Sequence, residues 1–463
     1  MLKIYNSLSN KAEVLKPIDQ KKLKLYVCGI TVYDSPHIGH ARTYIAFDIF
    51  AKYLKSKGFA VSYLQNITDI DDKIIKKAQE IHTSWKILTK KFEKECQSAM
   101  KALNITFPIK YARATDHIRE IVSQISRLVN LEVAYRAEDG IYFDVSTFKN
   151  YGKLSKRTAM QAEDSVSKID DAKNKRNKAD FCLWKFYSGI PSEPKWTSPW
   201  GPGRPGWHIE DTAITEKYFG PQYDIHGGGR DLIFPHHEAE IAQMETLSDL
   251  SPMVRYWMHT GFLMVNGQKM SKSLGNFITI KDFLDKYPSR LLRYYFSKAH
   301  YRSPVDYSDK AIEQSENDLR RIDEFIQRLS IQKGKEKNKK IDSILKKSKT
   351  GFESAMDNDL NTPQAIAVIF ELIKSINQLM DANPLNKSQV KEILETLKGF
   401  DNIFNFIFVK LKKKIIPKEI KELAELREKA RKSKKWDEAD ILRKKIEEKG
   451  YMIKDIEGGY IIS

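Results

Sequence analysis

Two short strings in this 463-residue chain combine residue types that handle phosphate. The first, PHIGH, spans Pro36 to His40; it follows a β-rich run at 24–30 and opens a long periodic segment. A helix starting there offers amide N–H groups and the positive end of its dipole to an anion, and Gly39 lets a phosphate or base approach the backbone. His37 and His40 can donate to phosphate oxygens. The second string, KMSKS, comprises Lys269, Met270, Ser271, Lys272 and Ser273 and follows a tight turn expected at Asn266 and Gly267. Two lysines on a mobile loop can meet the β- and γ-phosphates of ATP and follow the charge that builds on departing pyrophosphate. Each string alone has a plainer reading, as histidines capping their own helix or as a solvated basic loop. Together, in this order and roughly 230 residues apart, they are specific.

The elements that must position these strings can be read from periodicity. A strand at 24–30, a helix over 41–57 with Ile45, Ile49, Tyr53 and Leu54 on one face, and a strand at 60–66 make a βαβ unit, which requires a parallel sheet. Gly58 stands where a helix C′ residue belongs. A helix is expected after 68, with Thr68 or Asp69 as its N-cap, and another over 85–103. Residues 115–200 read as an insertion between two halves of the sheet, with a helix at 116–131, a strand in IYFDV and a lysine- and aspartate-rich loop at 161–180. The tract from Ser188 to Glu210, rich in Pro, Gly and Trp, is expected to be a packed loop before the sheet resumes. Beyond Ser308 the chain reads as helical to about 408, broken by a mobile lysine-rich loop at 332–340. Two charged helices and a strand pair are expected after Pro417.

Composition limits the classes of function. Hydrophobic residues at 41% and charged residues at 30% are the balance of a globular chain rather than a disordered one. Lys3, Lys11, Glu13, Lys16, Asp19, Lys21 and Lys22 leave no apolar core for a signal peptide, and no later stretch resembles a spanning helix. No membrane partner is therefore expected, and a cytoplasmic location is. Three cysteines, Cys28, Cys96 and Cys182, form no CxxC and suit a reducing compartment. The formal charge of +18 makes a polyanion such as nucleic acid the first partner to test.

The surroundings of the two strings, YVCGITVYDSPHIGHART, NITDIDDKII, GRPGWHIE, HGGGRDLIFPHHEAEIAQ and YWMHTGF, resemble the cysteinyl-tRNA synthetase family of class I aminoacyl-tRNA synthetases, and the resemblance covers almost the whole chain. It implies an α/β fold: a Rossmann-type parallel-sheet catalytic domain with an insertion, then an α-helical bundle and a small mixed anticodon-binding module. The implied boundaries are 1–115 and 201–260 for the catalytic halves, 116–200 for the insertion, 261–308 for the KMSKS and stem-contact region, 309–408 for the bundle and 409–463 for the anticodon module. The implied activity is ATP-dependent conversion of L-cysteine to cysteinyl-adenylate and transfer to the terminal adenosine of tRNA(Cys), by a monomer using ATP with Mg2+. On that reading His37, His40, Lys269 and Lys272 are catalytic, and Gly39, Gly227, Gly228 and Ser271 join the two lysines around the nucleotide. Asp231 binds the cysteine ammonium, while Thr68 and Trp207 line the amino-acid pocket. From residue type alone, Thr68 and Asp231 can equally be helix caps and Trp207 a core aromatic.

The resemblance also implies one zinc ion, and the chemistry explains the need. A thiol and a hydroxyl differ little in size, so shape selects poorly between cysteine and serine, whereas zinc binds thiolate strongly and lowers its pKa. The family's ligands are two cysteines, a histidine and a glutamate; Cys28, His236 and Glu240 match, and Asp211 stands in place of the second cysteine. Aspartate is a legitimate zinc ligand, so a shell of Cys28, Asp211, His236 and Glu240 is expected, the alternative being an Asp211 that points away. Arg230 and Ala239 also depart from the pattern without removing a ligand. In the C-terminal segment Arg427, Arg431, Lys432, Lys434, Lys435, Arg443, Lys444 and Lys445 are candidates for phosphate contact. Trp436 is expected to pack between the two helices, with base stacking as the alternative. Two other readings remain in view: a ligase joining cysteine to an amine-bearing sugar, which would not need the basic C-terminal module, and an inactive tRNA-binding paralogue, which would not need intact HIGH and KMSKS strings.

Overall fold

A computed structural model describes residues 1–108, 110–157, 175–271, 274–408, 417–449, 451, 453–456 and 459–462, in two compact units, 1–408 and 409–463. The chain opens with a hairpin, β1 (Lys3–Asn6) and β2 (Lys11–Val14), followed by β3 (Lys22–Thr31), α1 (Ile38–Ser56), β4 (Ala60–Thr68), α2 (Asp72–Glu80), α3 (Trp85–Ala102) and β5 (Lys110–Arg113). The tract Leu25, Tyr26, Val27 and Cys28 is buried without alternation, the signature of a strand covered on both faces. Helix α1 buries residues all round its circumference, including the four apolar positions expected from spacing, because it lies within the core. Gly58 follows it with φ +89°, a conformation that favours glycine.

The insertion carries α4 (Ile118–Asn130), β6 (Ala134–Arg136), β7 (Gly140–Phe143), β8 (Phe181–Phe186) and β9 (Gly203–Pro205), the four strands forming an antiparallel sheet in that order. The main sheet resumes through α5 (Ile209–Phe219), β10 (Tyr223–Gly229), α6 (Glu238–Ser248) and β11 (Val254–Thr260). Its strand order is β11-β10-β3-β4-β5, every pair parallel. The order reverses between β3 and β10, so the crevice beyond their C-terminal ends is the place where such a sheet binds ligands.

A hairpin of β12 (Leu263–Val265) and β13 (Gln268–Lys269) turns at Asn266 and Gly267, both at positive φ, as the spacing predicts. After α7 (Ile280–Lys286) and α8 (Ser289–Ser297), β14 (Val305–Tyr307) pairs with β12, and the bundle follows as α9 (Asp309–Ser330), α10 (Ile341–Asp357), α11 (Thr362–Ala382) and α12 (Lys387–Phe404). The second unit holds α13 (Lys418–Lys432), α14 (Trp436–Glu448) and the hairpin β15 (Ile453–Ile456) and β16 (Gly459–Ile462) around Ile420, Ala424, Ile446 and Ile453. No described helix is long and apolar enough to cross a membrane.

Four local expectations are corrected. Thr68 ends β4 and does not cap a helix; α2 begins at Asp72 and is capped by the Asp71 carboxylate, while Asp69 accepts from the amide and hydroxyl of Thr115. The lysine-rich tract at 332–340 is tied down: Gly334 N–H donates to Leu385 O at 2.9 Å, and Asn338 exchanges bonds of 3.1 and 2.8 Å with the Gln389 side chain. Trp436 is 56% exposed at the first position of α14, with the Arg431 guanidinium 5.8 Å from its ring centroid, because small aliphatic residues already fill the space between the helices. Arg427, at 1% exposure, is buried and does not face a phosphate backbone. Most of the loop expected at 161–180 lies outside the described residues.

Candidate active site and metal centre

His37 is the N-cap of α1, and its Nδ1 accepts from Gly39 N–H at 3.1 Å. His40 Nδ1 accepts from His37 N–H at 3.2 Å, and the two rings stack with centroids 3.7 Å apart. Both Nδ1 lone pairs are thereby occupied, which leaves the proton of each neutral ring on Nε2. Burial lowers the His37 pKa to about 4 and, with the neighbouring His37 ring, pushes His40 well down as well. The pair therefore presents neutral Nε2–H donors at pH 7. The amides of Ile38, Gly39 and His40 are spent on Ile278 O, His37 Nδ1 and His37 O. An anion at this helix end thus meets imidazole N–H and the dipole rather than three free amides, and Gly39 is needed because a Cβ would lie 2.9 Å from the His37 ring.

The second string reaches the same place. Ile280 N–H donates to Pro36 O, the Phe277 ring sits edge-on to His37 at 5.2 Å, and Met270 Cε lies 3.5 Å from the position of a Cβ on Gly39. Lys269 ends β13 in the open, and Asn276 holds the loop by accepting from Ser271 N–H at 2.8 Å and donating to Lys269 O at 3.2 Å. Lys272 and Ser273 lie outside the described residues. Gly227 and Gly228 answer to the protein's own packing: a Cβ on Gly227 would lie 2.3 Å from Phe47 Cζ, and one on Gly228 2.9 Å from the His237 ring. Asp231 is exposed just past the carboxyl end of β10, the same end of the sheet at which β4 finishes in Thr68.

Deeper in the crevice, three chain segments converge. Strand β3 supplies Cys28, the first turn of α5 supplies Asp211, and the turn into α6 supplies His236 and Glu240, one helical turn apart. Asp211 Oδ2 lies 3.5 Å from Cys28 Sγ and 3.0 Å from His236 Nε2, and Glu240 Oε1 lies 3.3 Å from the same nitrogen. Asp211 therefore points into the cluster. A β-bulge after Val27 helps aim it: Gly29 allows the Asn66 backbone to pass close, and Asn66 Nδ2 donates to Asp211 Oδ1 at 2.7 Å. Trp207, half-buried, stacks on the His236 ring with centroids 4.4 Å apart, and the Thr68 hydroxyl donates to Glu210, Asp211's neighbour. Thr68 and Trp207 thus border the cluster.

The cluster's electrostatics are those of a cation site. Burial and the Asp211 charge push the Cys28 thiol and the carboxyls of Glu210 and Glu240 well above their ordinary values. Glu240 is fully buried, and neither carboxylate oxygen has a hydrogen-bond partner. The ion-pair partners of Asp211 and Glu240 among the described residues are histidines. Tetrahedral zinc, with bonds of about 2.0–2.3 Å, needs neighbouring donors about 3.3–3.7 Å apart, close to the separations present. The residues fit a zinc ion, whose charge would stabilise the thiolate and carboxylates that burial opposes.

Sequence reasoning missed several members of this site. His208, His226, His237 and His259 crowd around the same centre, with Cys28 Sγ at 3.2 and 3.1 Å from Nε2 of His226 and His237. With His236 they are half of the chain's ten histidines, and their concentration between 208 and 259 was the available signal. Asn66 left no such signal. Cys96 and Cys182 are buried.

Comparison with known proteins adds to this geometry. The model of the class I (C) tRNA synthetase catalytic domain matches residues 14–317, a DALR domain matches 351–408, and the cysteinyl-tRNA ligase anticodon-binding domain matches 416–460. The chain is 42% identical to the cysteine–tRNA ligase of Thermococcus gammatolerans, covering 99% of this chain and 98% of the relative. It is 43% identical to that of Methanococcus maripaludis, covering 98% and 97%. Among solved structures, Mycobacterium tuberculosis methionyl-tRNA synthetase in complex with methionyl-adenylate aligns with a TM-score of 0.61 at 16% identity, over 84% of this chain and 90% of that one. The leucyl enzyme of Agrobacterium radiobacter K84, in ternary complex with tRNA, aligns at 0.64 and 10%, over 85% of each; both likenesses show the fold.

Proposed function

The chain belongs to the cysteine–tRNA ligase family of class I aminoacyl-tRNA synthetases, and from that premise we propose that it activates L-cysteine as the adenylate and selects it through a metal held by Cys28, Asp211, His236 and Glu240. The observation that carries the reading is the fully buried Glu240 carboxylate, which has no hydrogen-bond partner and faces histidine nitrogens, inside a Cys, Asp and His cluster at the sheet's switch point.

In the first step a cysteine carboxylate oxygen attacks the α-phosphorus of ATP, and the bond to the β-phosphate oxygen breaks to release pyrophosphate. The Nε2–H groups of His37 and His40 donate to phosphate oxygens, and their capping bonds hold that tautomer in place before ATP arrives. Lys269, with Lys272 beyond it, neutralises the departing pyrophosphate, accompanied by Mg2+. Gly39, Gly227, Gly228 and Ser271 shape the nucleotide's surroundings, the glycines by allowing His37, Phe47 and His237 to pack where they do. Asp231, exposed beyond the carboxyl end of β10, receives the substrate ammonium. In the second step a hydroxyl of the terminal adenosine of tRNA(Cys) attacks the carbonyl and AMP leaves.

Bound zinc would supply a soft Lewis acid that prefers a thiolate to an alcohol. Thr68 and Trp207 border the path to it, Asn66 turns Asp211 toward it, and the Trp207 ring fixes the plane of His236. The reading divides the chain into the six segments drawn from the sequence, with the exposed Trp436 and the half-buried Arg431 of the anticodon-binding unit placed against a base and its phosphate. The reading is of a cytoplasmic monomer.

Cysteine-dependent exchange of labelled pyrophosphate into ATP, followed by acylation of tRNA(Cys) transcript, tests this function. Both reactions are expected. Exchange without acylation would move the acceptor away from tRNA, and the absence of exchange would overturn the adenylate reading.

A further inference from the structure

The cluster contains a second complete donor set. Cys28 Sγ, one nitrogen each of His226 and His237, and a Glu240 oxygen lie within 4.8 Å of one another, all buried. Both imidazoles aim Nε2 at the sulfur, at 3.2 and 3.1 Å, and each has its other nitrogen held from behind. His226 Nδ1 meets Tyr223 Oη at 2.7 Å, and His237 Nδ1 meets His259 Nε2 at 2.9 Å, whose Nδ1 reaches Ser7 Oγ at 2.8 Å. With Nδ1–H of His226 donating to Tyr223, and protons running from His237 through His259 to Ser7, both Nε2 lone pairs face Cys28. Orientation of a ring by its second nitrogen is the arrangement that metal-bound histidines require.

We propose that Cys28, His226, His237 and Glu240 form an inner seat for zinc, that it shares Cys28 and Glu240 with the outer seat of Asp211 and His236, and that one ion rests in the inner seat while cysteine is absent. This rests on the zinc reading above. Two observations favour the inner seat at rest. Its donors are one sulfur, two imidazole nitrogens and one carboxylate, a better match to zinc than a sulfur, one nitrogen and two carboxylates. The inner seat also backs onto Trp257, which stacks on His226 at 4.3 Å and is buried, while the outer seat adjoins half-buried Trp207. A thiol arriving past Trp207 reaches the ion only after the ion has shifted outward, so occupancy of the two seats regulates access to the selector.

Zinc K-edge X-ray absorption on the full-length wild-type chain loaded with one equivalent of zinc counts the imidazoles directly. Two imidazoles and one sulfur per zinc are expected without cysteine. One imidazole and one sulfur would overturn the inner seat while leaving the zinc reading intact, and failure of the chain to bind zinc would overturn both. The variant Asp211→Ala, which lacks an outer-seat donor, is expected to retain about one zinc per chain with an unchanged two-imidazole signature. Loss of zinc from a variant whose circular dichroism matches wild type would overturn the proposal.

Discussion

Replacing Glu240 with glutamine should change stability in opposite directions with and without zinc. Glu240 is fully buried, has no hydrogen-bond partner on either oxygen, and is pushed toward its neutral form by burial and by Asp211 and Glu210. In metal-free protein an unsatisfied buried polar group costs about 1–3 kcal/mol. Glutamine keeps the shape, removes the repulsion and can turn its amide oxygen to accept from His236 Nε2, the nitrogen that Oε1 already approaches at 3.3 Å. Metal-free Glu240→Gln should therefore be about 1 kcal/mol more stable than wild type. Zinc at 100 times its Kd adds about 2.7 kcal/mol to the wild type, and a hundredfold weaker site retains only about 0.4 kcal/mol of this. In zinc the variant should consequently be about 1 kcal/mol less stable, the loss of about 2.3 exceeding the gain. Urea unfolding in zinc-buffered and chelator-treated solutions reads both. A difference of the same sign in both would refute the assignment of Glu240 as a metal ligand.

Three other outcomes follow from the same structure. His37 has a folded pKa of about 4 against 6.5 for the free group, so between those values the unfolded chain binds a proton that the folded chain refuses, and stability falls as pH falls. His37→Asn keeps a capping side chain but removes this proton, and its urea midpoint should lose less between pH 6.5 and 4.5, by on the order of 1 kcal/mol per pH unit given partial exposure of the ring; parallel profiles would contradict the shift. Gly227→Ala places a methyl group 2.3 Å from Phe47 Cζ and should lower stability by about 1–3 kcal/mol, whereas an unchanged thermal midpoint would contradict the packing argument. Trp436→Ala should raise the KM for tRNA by about tenfold or more, as expected for a lost stacking platform, and leave pyrophosphate exchange unaltered; an unchanged KM would return the residue to a structural role.

The parts of the fold legible in the sequence are those whose local and tertiary demands agree. The β3-α1-β4 unit, the Asn266-Gly267 turn and the closing helices and hairpin combine strong periodicity with turn residues that few other conformations accept. The start of α2 is not legible locally, because Thr68 and Asp69 are good caps whose side chains are claimed by partners distant in sequence, Glu210 and Thr115. The exposure of Trp436 is not legible either, because its size favours burial while aliphatic residues complete that core. At the site, the four-residue spacing of His236 and Glu240 is a local signal, whereas Cys28 and Asp211 were joined to them only through resemblance. His226 and Asn66 enter through the parallel strands β10 and β4, whose long-range register no local pattern encodes, whereas His237 comes in beside His236 from the turn into α6.

The most direct test of the account compares pyrophosphate exchange with cysteine and with serine, before and after zinc removal, with metal content measured in the same samples. The account predicts about one zinc per chain and a cysteine-to-serine ratio of kcat/KM that falls by at least about tenfold on chelation and returns with zinc. A ratio that stays constant through zinc removal would contradict metal-based selection and leave discrimination to the shape of the pocket beside Thr68 and Trp207.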